Sequence, residues 1–202
     1  MIDAIILDLG GVLLNIDYQK PIDAFKALGV EVLYSQKDQG KLFDDLETGK
    51  ISSADFRNEV RKLSSDALSD QQIDKAWNSI LLDLPENRVE LLYKLKQKFP
   101  LYLLSNTNEI HAQSFEEEII REYGHNVFEE VFSGIYYSHR IQKRKPNAEA
   151  FLHVLKENGL HEATTLFIDD SPQHIVGAKN LGIQAYQLNG ELEFLLKEIG
   201  VI

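Results

Sequence analysis

The chain has 202 residues, 44% of them hydrophobic and 26% charged, a profile that suits one globular core with a modest insertion, or two small domains. Its 21 basic and 32 acidic side chains give a formal net charge of −11, which argues against nucleic acid or anionic membrane as partners but still permits a small anion in a cleft where a bound cation reverses the field. Cysteine is absent, so disulfides, thiol catalysis and cysteine–zinc chemistry are excluded.

Ala4 to Leu7 reads as a short buried strand, bounded by Asp8 and then by Gly10-Gly11. The surrounding apolar stretch from Ile2 to Leu14 is interrupted by Asp3 and Asp8 and follows no basic segment. It predicts neither a membrane span nor a secretion signal, and the expected location is the cytoplasm. Residues 16–84 show helical spacing and no convincing strand. Ile22, Phe25 and Leu28 precede Gly29, and Phe56, Val60 and Leu63 follow serines able to cap a helix. Ser69 and Gln72 form a capping box ahead of Ile73, Ala76, Trp77 and Ile80, one clean helical face with Trp77 in its core.

From Pro85, a suitable first-turn residue, Val89, Leu92 and Leu95 predict a helix running to Phe99. Leu101 to Leu104 reads as a second buried strand, followed by polar Ser105-Asn106-Thr107-Asn108. Phe151, Val154 and Leu155 mark a helix ending at Gly159. Thr165 to Ile168 is a third strand, stopped by Asp169-Asp170, and Ile175, Ala178 and Leu181 mark a helix ending at Gly182. Val131 to Tyr137 and Ile183 to Leu188 are weaker strand candidates. Continuous apolar runs suit strands covered on both faces. The alternation of strands and helices predicts an α/β fold: a doubly wound, Rossmann-like parallel-sheet core from residues 1–15 and 85–202, with a small helical insertion at 16–84 after the first strand.

The residues that end the strands carry the chemistry. Asp8 ends the first, Ser105 the second, and Asp169 and Asp170 the third. In an open parallel sheet these ends face one crevice. Adjacent carboxylates repel unless a cation sits among them, and all-oxygen ligation suits magnesium working with phosphate groups. Lys145, in Lys143-Arg144-Lys145-Pro146 ahead of the helix containing Phe151, supplies a further positive charge. A nucleophilic carboxylate, a hydroxyl donor, a lysine and paired metal-binding acids suit transfer of a phosphoryl group to an aspartate and then to water.

Asp8-Leu9-Gly10-Gly11-Val12, Leu103-Leu104-Ser105-Asn106, Lys145-Pro146 and Phe167-Ile168-Asp169-Asp170 resemble, in order and spacing, the successive motifs of the haloacid-dehalogenase superfamily. Residues 16–84 sit where that family inserts its helical cap. With Ser105-Asn106-Thr107-Asn108 and His111, the chain is most similar to the bacterial α-D-glucose-1-phosphate phosphatase branch. The resemblance implies that Asp8 forms an aspartyl-phosphate. It implies that Asp8, the Gly10 carbonyl and Asp169 hold Mg²⁺, with Asp170 in or near its shell. Ser105 and the backbone of Asn106 would bind phosphoryl oxygens, and Lys145 would orient Asp8 and neutralise the transition state. The substrate implied is a small phosphorylated metabolite such as a sugar phosphate, glucose 1-phosphate included.

One departure matters. Most phosphatases of this family carry a general acid–base aspartate where this chain has Gly10, a contribution typically worth ~10²–10⁴-fold. An anomeric leaving group softens that loss, and the sugar-phosphatase branch shares the glycine. His111 and Asp17 are the candidates for a replacement, although His111 reads more simply as a helix-surface or supporting group and Asp17 as a cap or hinge residue. Tyr18, His111 and residues near Phe43 are the candidates for substrate contact. Two other functions fit the same scaffold. A 2-haloacid dehalogenase would not need Asp169 and Asp170 as metal acids, and a non-catalytic phospho-ligand-binding protein has only Gly10 in its favour. A phosphoryl-accepting receiver places its acidic pair first in the chain, whereas here it comes last, and a phosphomutase needs the acid that Gly10 lacks.

Overall fold

The structure, a computed structural model, describes residues 2–30 and 40–202. Five parallel strands form one sheet: β1 (Ala4–Leu7), β2 (Leu101–Ser105), β3 (Gly134–Tyr137), β4 (Thr165–Asp169) and β5 (Gln184–Gln187), in the order β3-β2-β1-β4-β5. Successive side chains of a strand point to opposite faces, and both faces are covered. Ile5, Leu7, Leu103 and Ile168 pack with Val89, Leu92 and Leu95 of α5 (Glu86–Lys96), Phe115 of α6 (Glu109–Tyr123) and Leu196 of α11 (Leu192–Glu198). Ile6, Leu104 and Phe167 pack on the other side with Phe151 and Val154 of α9 (Ala148–Asn158) and Ile175 of α10 (Pro172–Lys179). The unbroken apolar runs of β1, β2 and β4 are therefore fully buried.

Register fixes which residues share one edge of the sheet. Leu7 is opposite both Leu103 and Ile168, so Asp8, Ser105 and Asp169 emerge near one another at the carboxyl ends of neighbouring strands.

Residues 16–81 contribute α1 (Gln19–Ala27), α2 (Lys41–Glu47), α3 (Ser53–Lys62) and α4 (Asp70–Asn78). The capping box of Ser69 with Gln72 forms as expected, and Ser52 forms another with Asp55. The helices close around fully buried Trp77, whose ring lies 4.9 Å from Phe43, 5.8 Å from Phe56 and 6.4 Å from Phe25. The chain leaves and rejoins the sheet side through two paired segments. Ile16 and Leu81 bridge antiparallel, Leu82 N–H donates to the Asn15 carbonyl at 3.0 Å, and Asn15 N–H donates to that of Asp83 at 2.9 Å. Buried Arg88 braces this crossing by donating to the Leu13 carbonyl at 3.1 Å and to Asn15 Oδ1 at 3.0 Å.

The weaker expectations need adjustment. The strand expected over 131–137 begins only at Gly134, because the Asn126 side chain accepts from the Phe128 N–H and starts a short helix, α7 (Val127–Val131), that consumes the first residue. The last strand is confined to Gln184–Gln187. Pro85 caps α5 rather than filling its first turn, and α10 stops at Lys179, with Gly182 (φ +85°) in the exit turn. A short helix, α8 (Ser138–Ile141), follows β3 and leads to the loop carrying Lys145.

Candidate active site

β1 ends in a tight loop in which the Leu9 carbonyl accepts from both Leu13 N–H and Leu14 N–H at 2.8 Å, and Gly11 N–H donates to the Leu14 carbonyl at 2.8 Å. Gly11 adopts φ +76°, a conformation that favours glycine, and a Cβ here would stand 2.4 Å from Asp170 Oδ2. The second glycine of Gly10-Gly11 is thus what lets the first loop approach the acids that end β4.

Lys145 sits at the centre. It is wholly buried, and its Nζ lies 2.6 Å from Asp8 Oδ1 and 2.6 Å from Asp169 Oδ2. Its N–H donates to Asn106 Oδ1 and its carbonyl accepts from Asn106 Nδ2, each at 2.9 Å. The loop after β2 is clamped in turn by buried Ser138, whose hydroxyl accepts from Thr107 N–H and donates to the Thr107 carbonyl, both at 2.9 Å. Asp169 is wholly buried and also accepts from Ser171 N–H at 2.8 Å, with His174 Nδ1 at 2.9 and 3.0 Å from its two oxygens.

Charge follows from this wiring. Burial alone would raise the Asp169 carboxyl, but Lys145 and His174 outweigh it and hold the pKa at about 2. Burial and then the Asp169 charge push Asp8 upward against the pull of Lys145. Burial works to lower Lys145, but the charges of Asp169 and Asp8 raise it. Burial, Asp8 and Asp169 together lift the half-buried Asp170 to about 7. Oxygens of Asp8, Asp169 and Asp170 all lie within 4.8 Å of one another. Three carboxylates around one ammonium leave surplus negative charge that a hard divalent ion would neutralise, and the donor set is all oxygen, so these residues fit magnesium.

A cleft opens here, with Asp8, Gly10, Ser105, Asn106 and Asp170 among its lining residues. Asp8, Gly10, Ser105, Asn106 and Asp170 thus meet at this edge, with Lys145 and Asp169 buried against Asp8. Among the substrate-contact candidates, Tyr18 and His111 line the cleft. Phe43 does not: it is buried against Trp77. Asp17, a candidate for the replacement acid, does not line the cleft: its Oδ1 accepts from Gln19 N–H at 2.9 Å, just at the start of α1.

His111 is not a helix-surface group. It is buried, stacked on Trp77 at 4.5 Å, with Nε2 at 3.2 Å from the Trp77 carbonyl and Nδ1 at 3.1 Å from Asn108 Nδ2. The carbonyl requires a proton on Nε2, so Nδ1 accepts and the ring is neutral. Burial lowers its pKa to about 3.

Sequence reasoning passed over Arg144, Gln173 and His174, which also line the cleft, as does Glu47, one turn along α2 from Phe43 and so among the residues near it named for substrate contact. His174 falls five residues after Asp169 in the first turn of α10, a spacing that could have flagged it.

The family model described as haloacid dehalogenase-like hydrolase matches residues 2–182. A D-ribitol-5-phosphate phosphatase of Bacteroides thetaiotaomicron is 29% identical over 191 residues, 93% of this chain and 92% of that protein. Among solved structures, a haloacid-dehalogenase-family enzyme of B. thetaiotaomicron, a variant in complex with magnesium and inorganic phosphate, superposes with a TM-score of 0.91 at 34% identity, covering 97% of this chain and 99% of that one. A hydrolase of the same family from Porphyromonas gingivalis gives 0.89 at 32% identity over 98% of each chain. Among the described residues no helix is long and apolar enough to cross a membrane. With the motif residues gathered at one sheet edge and the match running almost end to end, the chain belongs to the haloacid dehalogenase-like hydrolases.

Proposed function

We propose that the chain is a magnesium-dependent phosphatase of small phosphorylated metabolites, with sugar and sugar-alcohol phosphates, glucose 1-phosphate among them, as its substrates. The observation that carries this reading is Lys145 Nζ at 2.6 Å from both Asp8 and Asp169, beneath carboxylate oxygens gathered within 4.8 Å. Asp8 is the nucleophile. Lys145 holds its carboxylate in place and offsets the charge that spreads over the transferring phosphoryl oxygens. Ser105 and the Asn106 backbone bind those oxygens, and a water then cleaves the aspartyl-phosphate to free Asp8. Asp8, the Gly10 carbonyl, Asp169 and Asp170 would hold magnesium, which supplies Lewis-acid neutralisation of phosphate charge. Residues 16–84 act as a cap that covers the cleft, and residues 1–15 and 85–202 form the hydrolase core.

The likeness to a D-ribitol-5-phosphate phosphatase and to an enzyme solved with magnesium and phosphate supports this reading. A 2-haloacid dehalogenase has no use for the carboxylate cluster. The test is phosphate release from a panel of esters, including hexose 1- and 6-phosphates, with magnesium and with chelator, beside Asp8→Asn. Magnesium-dependent release that the variant lacks is expected. Substantial activity in the variant would remove Asp8 as nucleophile, and no release from any ester by folded protein would favour the non-catalytic reading.

A further inference from the structure

We infer that His174 is a positioning residue that sets which cation the site accepts: by donating its Nδ1–H across both oxygens of Asp169, it leaves that carboxylate at most one oxygen to give a metal, and so favours magnesium over calcium. The inference rests on the magnesium site of the reading above and deepens it. His174 stands in the first turn of α10, is buried, and lines the cleft. Its Nδ1 lies 2.9 Å from Asp169 Oδ1 and 3.0 Å from Oδ2. Asp169 also accepts from the Lys145 ammonium and from Ser171 N–H, as an ionised carboxylate does, so Nδ1 is the donor.

A donor equidistant from the two oxygens sits across the mouth of the carboxylate, the place that a cation chelated by the pair would need. The flanks are engaged as well, Oδ1 by Ser171 N–H at 2.8 Å and Oδ2 by Lys145 Nζ at 2.6 Å. These donors are fixed by the fold. His174 N–H donates to the Ser171 carbonyl at 3.1 Å, which ties two of them into one turn, and Lys145 is wholly buried. The two hard cations ask different things of such a carboxylate. Magnesium demands a tight octahedron, takes single oxygens from one or two carboxylates and keeps several waters. Calcium takes roughly six to eight oxygens and readily accepts both from one carboxylate. With Asp169 confined to a single oxygen, the cluster of Asp8, Asp169 and Asp170 leaves more of the ion's shell to water and phosphate, which suits magnesium. Released from His174, Asp169 would turn both oxygens to an ion, and calcium would gain most.

The test is calorimetric titration of the metal-free full chain with magnesium chloride and with calcium chloride, a readout that needs no turnover. His174→Leu fills the space without a donor. It should weaken magnesium about tenfold, as loss of a partner to a metal-binding carboxylate does, while calcium holds or tightens. The ratio of the two dissociation constants therefore moves about tenfold or more toward calcium. His174→Asn places its Nδ2 donor where Nδ1 stands and should keep the wild-type ratio within about threefold. A merely structural role for His174 would weaken both ions alike. An unmoved ratio in His174→Leu, or an equal shift in His174→Asn, overturns the assignment. If the leucine variant does not fold, a crystal structure of the wild type with calcium decides: Asp169 giving the ion a single oxygen, with His174 still donating, is expected, and both oxygens on the ion overturn the assignment. Magnesium-dependent phosphate release with an unmoved ratio sinks this inference alone. The expected ratios with no release from any ester sink the phosphatase reading alone, and a wild type that binds no magnesium overturns the inference together with the metal site.

Discussion

Asn106 engages both main-chain polar groups of Lys145, accepting from its N–H and donating to its carbonyl at 2.9 Å each. The loop after β2 is thereby locked to the loop that carries the buried ammonium, and Nζ is delivered between Asp8 and Asp169. The side-chain amide of Asn106 is thus committed to Lys145, so the phosphate contact proposed for this residue falls to its backbone. Asn106→Ala breaks both bonds, and the expected cost is about 1–3 kcal/mol in urea unfolding. Turnover should fall as well, because a shift of about 1 Å in a charged group can cost ~10²-fold. Asn106→Asp keeps the acceptor and loses the donor, so it should lie between wild type and alanine. A fully active Asn106→Ala would show that Lys145 is positioned by other contacts.

Asp8→Asn tests the nucleophile and the electrostatics together. Turnover should drop by about 10³-fold or more, as for loss of a nucleophile elsewhere. Stability should move the other way in metal-free protein. Asp8 is buried beside Asp169 and its pKa is pushed up, so removing its charge relieves repulsion within the acidic cluster. Thermal unfolding in chelator should therefore give a Tm at or above that of wild type. Added magnesium should raise the wild-type Tm, by about 2.7 kcal/mol of stabilisation at a hundredfold excess over Kd, and the variant's by less. A variant that melts well below wild type in chelator would contradict the repulsion argument.

That Asp8, Ser105 and Asp169 meet at one sheet edge was readable from sequence because strand ends in a parallel sheet are chemically marked. Apolar runs broken by Asp8, Ser105 and Asp169-Asp170 declare both the strand and its exit. The capping boxes at Ser52 and Ser69 are local devices; that at Ser69 was legible as such, whereas at Ser52 only serines able to cap were visible. Arg144 and His174 escaped for the opposite reason. Their significance depends on contacts across the fold, such as Arg144 reaching α2, and no spacing in the chain announces these. The short helix α7 escaped because a side-chain cap from Asn126 competed successfully with the β-preference of the residues around Val131. Of the two readings open for His111, helix surface or supporting group, the structure gives the second, because one face of α6 meets the cluster around Trp77, a tertiary contact absent from the periodicity of α6 alone.

His111 should give the protein a distinct acid sensitivity. In the fold the ring is neutral with a pKa of about 3, against about 6.5 in an unfolded chain. Between these values the unfolded chain binds the extra proton. Stability from this group is therefore complete above about pH 6.5 and is lost as the pH falls, by up to ~1.4 kcal/mol per pH unit. Comparing urea unfolding at pH 7 and pH 5, His111→Gln, which can still donate to the Trp77 carbonyl, should show a decline smaller by about 2 kcal/mol. Parallel declines in the two proteins would mean that His111 is solvated.

The adjacent glycines should respond to substitution in opposite ways. Gly11 has φ +76°, and its missing Cβ would lie 2.4 Å from Asp170 Oδ2. Gly11→Ala thus pays a left-handed backbone penalty of about 1–2 kcal/mol and displaces Asp170. Magnesium-induced thermal stabilisation should shrink along with activity. Gly10 is under no such constraint. A Cβ there would stand 3.1 Å from Ile16 Cδ1, the flexible end of a side chain, so Gly10→Asp should fold at a cost of roughly 1–3 kcal/mol or less. Its carboxyl would stand beside the leaving-group oxygen and could pass it a proton. Hydrolysis of alkyl phosphates, whose leaving groups are basic, should then rise by up to ~10²-fold. Hydrolysis of p-nitrophenyl phosphate should change little, since that leaving group departs without a proton. An alkyl-ester rate no higher than wild type, in a folded variant that still binds magnesium, would mean that the protein already delivers the proton from another group lining the cleft.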